Sequence, residues 1–338
     1  MTRPLPRRQL LATALAAPAL LALPRGVSAQ SDRFARSRAA AAALDQLHAL
    51  VILQDGREVL AEAFRGPAPD RAVNVKSVSK TLVASIAGSV MAEGRITPAT
   101  TLAEAAPRLI PRGADPRVGA LTLADFLTMQ TGLDRTSGAN YGAWVQSRDW
   151  VRYVLERPMV GTPGRGMLYS TGSFHVLGAV LSEVTGESLL ALARRHLGQQ
   201  LGVRIDAWTR DPQGFYMGGN NMALSPRAMA AFGEAWRQRG AGPAGRLVPE
   251  AWVADSWQPR TRSVFSGDDY GYGWFLFDAG GSRVAYARGY GGQMICVLPD
   301  RGLVVAVTSD DSRPARSEGH AGDLKRLLVE TILPDAFA

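Results

Sequence analysis

Ser77 and Lys80 lie three residues apart in Ser77-Val78-Ser79-Lys80, a spacing that can set a nucleophile beside a base. Residues three apart on a helix share a face, so the two side chains meet if a helix begins at Ser77. From Lys80 to Glu93 there is no other charge. Val78, Leu82, Val83, Ile86, Ala87, Val90 and Met91 cover most of that surface. The pattern predicts a central, buried helix from about Ser77 to Glu93, closed by Gly94. Ser77 as an ordinary N-cap is the alternative, and two features oppose it. A capping box places Glu or Gln where Lys80 stands, and a cation in the first turn meets the positive end of the helix dipole. Burial makes such a lysine release its proton more readily, and a neutral amine beside a hydroxyl activates it for attack. Lysine is also scarce: only Lys76, Lys80 and Lys325 occur among 38 basic residues, and two of the three flank Ser77.

The elements that must position this pair can be read outward from it. Residues 32–47 are alanine-rich and read as a helix. The runs at 50–53 and 59–64 flank Gln54-Asp55-Gly56-Arg57, a hairpin signal. Residues 95–120, with four prolines, read as irregular. Helical patterns follow near 122–129, 147–156, 173–184 and 188–197. Another helix begins at Ser225-Pro226, with serine as N-cap and proline in the first turn. From about 270 the period changes, and 272–277, 283–287, 293–298 and 303–308 read as strands, followed by a helix over 318–332. Strands at both ends around a helical middle predict an α/β (α+β) fold. Its antiparallel sheet is flanked by helices and built from residues 30–97 and 251–338, with 98–250 as a mainly helical insertion.

Three motifs then fall in a recognisable order: Ser77-Val78-Ser79-Lys80, Tyr169-Ser170-Thr171 and Gly289-Tyr290-Gly291-Gly292-Gln293. In that order the chain resembles the serine β-lactamase and penicillin-binding-protein superfamily, class C-like. The segments at 126–133, 222–227 and 270–274 are similar to further recurrent stretches of that superfamily, so the resemblance covers nearly all of the chain after residue 29. It implies an acyl-enzyme mechanism in which Ser77 attacks a carbonyl and Lys80 and Tyr169 move the proton. It also implies an oxyanion site made by the backbone N–H groups of Ser77 and Gln293, with Thr171, Tyr290, Gly291 and Gly292 as substrate-binding positions. Two departures narrow the substrate. Tyr290-Gly291-Gly292 replaces the family's Lys-Thr-Gly, removing the cation that holds a carboxylate, although Arg288 lies two residues earlier. Thr171 replaces the asparagine that grips an acyl amide. The chain therefore resembles the branch of class C-like esterases and 6-aminohexanoate-dimer hydrolases. That makes a small ester or amide the expected substrate, ahead of a β-lactam, a D-Ala-D-Ala carboxypeptidase substrate or a D-aminopeptidase substrate.

Other classes are disfavoured by what the chain contains. It has no Gly-x-Ser-x-Gly elbow for a Ser-His-Asp hydrolase. No His-x-x-x-His pair or cysteine cluster suggests a metal, and no cofactor is expected. A non-catalytic cell-wall-binding or sensor protein is the rival of another class, and the joint presence of Ser77, Lys80 and Tyr169 argues against it. Cys296, the one cysteine, sits in an apolar run and reads as a buried structural thiol. The 338 residues carry a formal charge of +8, four of it from Arg3, Arg7, Arg8 and Arg25. The remainder forms no basic run that would suit nucleic acid. Arg7-Arg8, the apolar stretch from Leu10 to Leu23 and Val27-Ser28-Ala29 resemble a twin-arginine signal peptide cleaved near Ala29, with a Sec signal that happens to carry two arginines as the alternative. A periplasmic or secreted protein without a membrane span is expected.

Overall fold

Asp55 and Gly56 both take positive φ, 48° and 76°, the backbone a tight Asp-Gly hairpin turn requires. They join β1 (Leu47–Gln54) to β2 (Arg57–Ala63), as expected. The computed structural model describes Met1 and residues 33–337, so the expected signal segment, apart from Met1, lies outside the described residues. In chain order the other strands are β3 (Val73–Asn74), β4 (Ala223–Leu224), β5 (Thr261–Arg262), β6 (Asp269–Tyr270), β7 (Phe275–Ala279), β8 (Ser282–Gly289), β9 (Gln293–Leu298) and β10 (Leu303–Ser309). Eight of them form one antiparallel sheet in the order β2-β1-β10-β9-β8-β7-β6-β5. The two ends of the chain meet where β1 pairs with β10, Val51 opposite Ala306. Every residue of β9 and β10 is buried, which requires helices over both faces and explains their unbroken apolar runs.

The helices that matter for the site are few. They are α1 (Ala35–Ala43), α2 (Val78–Ala92), α3 (Thr171–Thr185), α4 (Pro226–Arg237) and α5 (His320–Arg326). In α2 every residue from Val78 to Met91 is buried, as its uncharged surface predicted. Ser225 caps α4 by accepting from the Ala228 N–H at 3.1 Å. That helix falls inside the 98–250 span, yet it lies across β1, β9 and β10.

Several boundaries differ from the sequence reading. The alanine-rich helix stops at Ala43, because the chain must turn so that Leu47, Ala49 and Leu50 can enter the sheet, where they are buried. Residues 272–274 are not strand: Gly271 to Trp274 make a turn between β6 and β7. Gly273 sits at φ 77°, and a Cβ there would come within 2.5 Å of the Ala84 methyl. Its carbonyl accepts from Thr81 Oγ1 at 2.6 Å, so this turn locks the sheet onto α2. The last helix begins at His320 and runs through a π-helical stretch, Leu327–Ile332, to Ala336. Pro334, which has no N–H to donate, falls in its final turn. Helices at Tyr141–Val145 and Glu250–Ser256 have too short an apolar period to be read. Among the described residues no single helix is long and apolar enough to cross a membrane.

Candidate active site

The pairing of β3 with β4, Val73 opposite Leu224, carries residues 217–222 alongside the start of α2. It is reinforced by Val75 N–H to the Met222 carbonyl at 2.9 Å and Met222 N–H to Ser79 Oγ at 3.1 Å. Lys76, the residue before Ser77, is held at φ 51°, a conformation costing roughly 1–3 kcal/mol outside glycine. Three contacts enforce it. The Lys76 N–H donates to Asn74 Oδ1 at 2.8 Å, Ser79 Oγ donates to the Lys76 carbonyl at 2.6 Å, and Lys76 Nζ pairs with Asp311 at 3.0 Å. This bend delivers Ser77 in helical geometry with no side-chain cap bond. Its hydroxyl is left to the cleft, and its own N–H stands at the positive end of α2.

Lys80 is 2 % exposed. Its Nζ donates to Ser77 Oγ at 3.0 Å, Thr171 Oγ1 at 3.2 Å and the Gly219 carbonyl at 2.7 Å. Those three acceptors use all three ammonium hydrogens. Burial lowers its pKa below 10.5, against a smaller opposing pull from Tyr169. Lys80 Nζ lies 4.9 Å from the Tyr169 ring centre. Burial raises the Tyr169 phenol, but the Lys80 charge and a hydrogen bond with Ser77 outweigh it and bring the phenol below 10.0. The two groups behave as one coupled unit: neutral amine with phenol, or ammonium with phenolate. Either form presents a base beside Ser77.

Ser77, Tyr169, Thr171, Tyr290, Gly291, Gly292 and Gln293 line a single cleft of about 1130 Å³, with Lys80 directly behind Ser77. The Thr171 hydroxyl is occupied, accepting from Lys80 and contacting Ser137 Oγ at 3.0 Å. It therefore steadies the base as well as lining the cleft. Tyr290 is 53 % exposed at the rim. The Gln293 side chain points into the sheet, donating to the Ser309 carbonyl at 2.7 Å, so only its backbone is placed for a substrate. Arg288 lies over the Phe275 ring at 5.5 Å and lines the cleft. It has no carboxylate partner among the described residues. Phe265 closes another wall, 5.7 Å from the Tyr169 ring.

Gly219, Ser137 and Phe265 were not singled out from the sequence. The only signal for Gly219 was the doubled Gly218-Gly219-Asn220-Asn221. A Cβ on Gly219 would come 2.6 Å from the Thr171 carbonyl. Gly219→Ala is therefore expected to destabilise the fold by about 1–3 kcal/mol. It should also slow turnover by displacing the carbonyl closest to Lys80, measurable by thermal melting alongside initial rates.

Among the described residues no histidine hydrogen-bonds Ser77 or Lys80. His175 pairs with Asp211 at 3.0 Å, both side chains fully buried, between Trp144 and Trp150, where the pair supports α3. Cys296 is buried, and burial pushes its thiol up to about 12, which makes it inert. Among the described residues no group of three or more His, Cys, Asp or Glu could hold a metal ion.

Comparison with known proteins bears on the family and the fold. The family model described as Beta-lactamase matches residues 37–330. The 6-aminohexanoate-dimer hydrolase of Paenarthrobacter ureafaciens is 30% identical over 216 residues, covering 59% of this chain and 54% of that protein. The chain thus spans about half the length of that curated relative. Among solved structures, EstCE1, a hydrolase with promiscuous acyltransferase activity, superposes with a TM-score of 0.74 at 18% identity, covering 92% of this chain and 100% of the other. A putative 6-aminohexanoate-dimer hydrolase from Bacillus anthracis gives 0.68 at 18%, covering 86% and 79%. A D-stereospecific amidohydrolase from Streptomyces sp. gives 0.65 at 17%, covering 90% and 98%.

Proposed function

The chain belongs to the Beta-lactamase family and has its β-lactamase/transpeptidase-like fold, and from that premise we propose that it is a hydrolase that cleaves small carboxylic esters or amides through a Ser77 acyl-enzyme. The observation that carries this reading is the buried Lys80 amine 3.0 Å from Ser77 Oγ. Lys80, coupled to Tyr169, takes the hydroxyl proton as Ser77 attacks the carbonyl carbon. The Ser77 and Gln293 backbone N–H groups bind the oxyanion. Tyr169 returns the proton to the leaving group as the carbonyl re-forms. Water then attacks the acyl-enzyme with the same pair as base, and Ser77 is restored.

The cleft walls favour an uncharged or lightly charged substrate over a β-lactam. Tyr290 supplies an aromatic edge where a lysine would hold a carboxylate, and the Thr171 hydroxyl is already engaged. The names carried by the relatives, a dimer hydrolase and an amidohydrolase, fit ester or amide cleavage. Arg288, a cation in the cleft with no carboxylate partner among the described residues, is the observation that favours the second reading, in which a carboxylate-bearing β-lactam or D-amino-acid peptide is cleaved. Export to the periplasm or beyond, on the Arg7-Arg8 segment, belongs to the same proposal.

A panel of short-chain aryl esters, linear amides, D-amino-acid peptides and a chromogenic cephalosporin tests it, with the acyl-enzyme trapped by rapid acid quench and weighed as the intact chain. The expected result is faster turnover of the aryl esters than of the cephalosporin, with an acyl mass adduct on the chain. Faster cephalosporin turnover would transfer the assignment to the Arg288 reading. A chain that turns over none of them and forms no adduct would favour a binding role.

A further inference from the structure

Behind the Gly291-Gly292-Gln293 edge of the cleft runs a chain of buried hydrogen bonds that the proposed chemistry does not yet use. The Ser309 hydroxyl, at the end of β10, donates to the Gly292 carbonyl at 3.1 Å. His320 Nε2, at the start of α5, lies 3.0 Å from the same Ser309 Oγ. Both side chains are 3 % exposed. A carbonyl only accepts, so the Ser309 proton is committed to Gly292, and Ser309 Oγ must accept from His320. That assigns His320 the tautomer with its proton on Nε2. Burial holds the His320 pKa below its ordinary value, consistent with a neutral ring near pH 7.

The Gly292 carbonyl and the Gln293 N–H are the two ends of one planar, resonance-coupled peptide unit. A proton donated to the oxygen of that unit draws electron density from its nitrogen and makes the N–H a stronger donor, and hydrogen bonds in series polarise one another. The same peptide is fixed in place as well. The Gln293 side chain brackets Ser309, donating to its carbonyl at 2.7 Å and accepting from its N–H at 3.3 Å. Gln46 donates to the preceding carbonyl, Gly291, at 3.1 Å. Gly292 stands at φ 104°, and a Cβ there would come 2.7 Å from His320 Cδ2, so glycine is what lets the imidazole approach.

The geometry points to His320 and Ser309 as positioning residues, a two-step relay that orients and polarises the Gly292–Gln293 peptide so that its N–H binds the oxyanion more strongly than an unassisted amide. This rests on the oxyanion role proposed for Gln293. Neither residue touches the substrate, so their removal weakens the transition state while leaving ground-state binding unchanged.

The test compares four single variants on one aryl acetate, with kcat and KM separated, and measures inhibition by a boronic acid, whose tetrahedral adduct on Ser77 carries an oxyanion-like hydroxyl. Losing an oxyanion donor outright costs about 10²–10³ in rate, so a weakened donor should cost about tenfold. Ser309→Ala and His320→Leu are expected to lower kcat about tenfold with KM within about twofold, and to weaken boronate binding in parallel. Ser309→Thr, which keeps the hydroxyl, and His320→Gln, which keeps a donor near Nε2, should recover to within about threefold of the parent chain. If Ser309→Ala fails to fold, the His320→Leu and His320→Gln pair decides alone. The relay is overturned if the truncations leave kcat within twofold, if their loss falls in KM, or if the conservative variants do no better than the truncations. Such a failure is separable from failure of the ester-hydrolase reading, in which Ser77→Ala would keep its turnover.

Discussion

Ser77→Ala is expected to lower aryl-ester turnover by at least about three orders of magnitude, since removing the nucleophile of an acyl-transfer site leaves only oxyanion and binding effects. The structure makes this a clean experiment. Ser77 caps no helix through its side chain, and Lys80 keeps Thr171 and Gly219 as acceptors when the hydroxyl is gone. The variant should therefore melt within a few degrees of the parent chain. Covalent labelling by a fluorophosphonate should disappear with the turnover, because the label and the acyl group attach to the same oxygen. A variant that labels normally, or that keeps most of its rate while remaining folded, would remove Ser77 from the chemistry. The Lys80–Tyr169 pair would then need another partner in the cleft.

How far the site could be read in advance depended on the range of each contact. Ser77 and Lys80 are three residues apart on one helix, so spacing alone brought them together, and the uncharged helix behind them indicated the burial of Lys80. Lysine scarcity was informative in a way its count did not reveal: Lys76 and Lys325 both line the cleft that Ser77 opens into. Asp55-Gly56 and Ser225-Pro226 were legible because a turn and a cap are set by neighbouring residues. Gly219 was not, since it reaches Lys80 from 139 residues away through the short β3–β4 pairing, which has no periodicity of its own. The Gly273 turn looked like strand because Tyr272, Trp274 and Phe275 are good strand formers. The close approach to Ala84 that overrides them is visible only in three dimensions. His320 falls inside the helix read over 318–332, and nothing local connects it to Ser309 or to the Gly292 carbonyl. That both chain ends share one antiparallel sheet followed from strands at both ends, whereas the strand order within it and the crossing of β1, β9 and β10 by α4 depended on packing.

The pH profile offers the second large test, because it reports on the coupled base directly. Catalysis needs an unprotonated member of the Lys80–Tyr169 pair, so kcat/KM should rise with pH along a limb whose midpoint lies below 10.5, the direction in which burial moves Lys80. The limb belongs to the pair and not to either residue alone. Stability should move in the same direction. The unfolded chain keeps the lysine proton up to about 10.5, while the folded chain releases it earlier. Between the folded pKa and 10.5 the unfolded state therefore binds more protons, and the contribution of Lys80 to stability rises with pH. The cost of burying the charge is absent above 10.5 and fully incurred below the folded pKa. Lys80→Arg separates charge from basicity, since a guanidinium keeps a cation in place but is not deprotonated in proteins. That variant is expected to lose about 10³-fold in kcat/KM, more than the 10²–10⁴ range for acid–base catalysis requires at its lower end, and to lose the rising limb with it. Tyr169→Phe should also lower the rate and shift the limb, because the amine then titrates without its phenol partner. A Lys80→Arg variant that kept both the rate and the limb would show that the proton goes elsewhere, and Ser77 would need a different base.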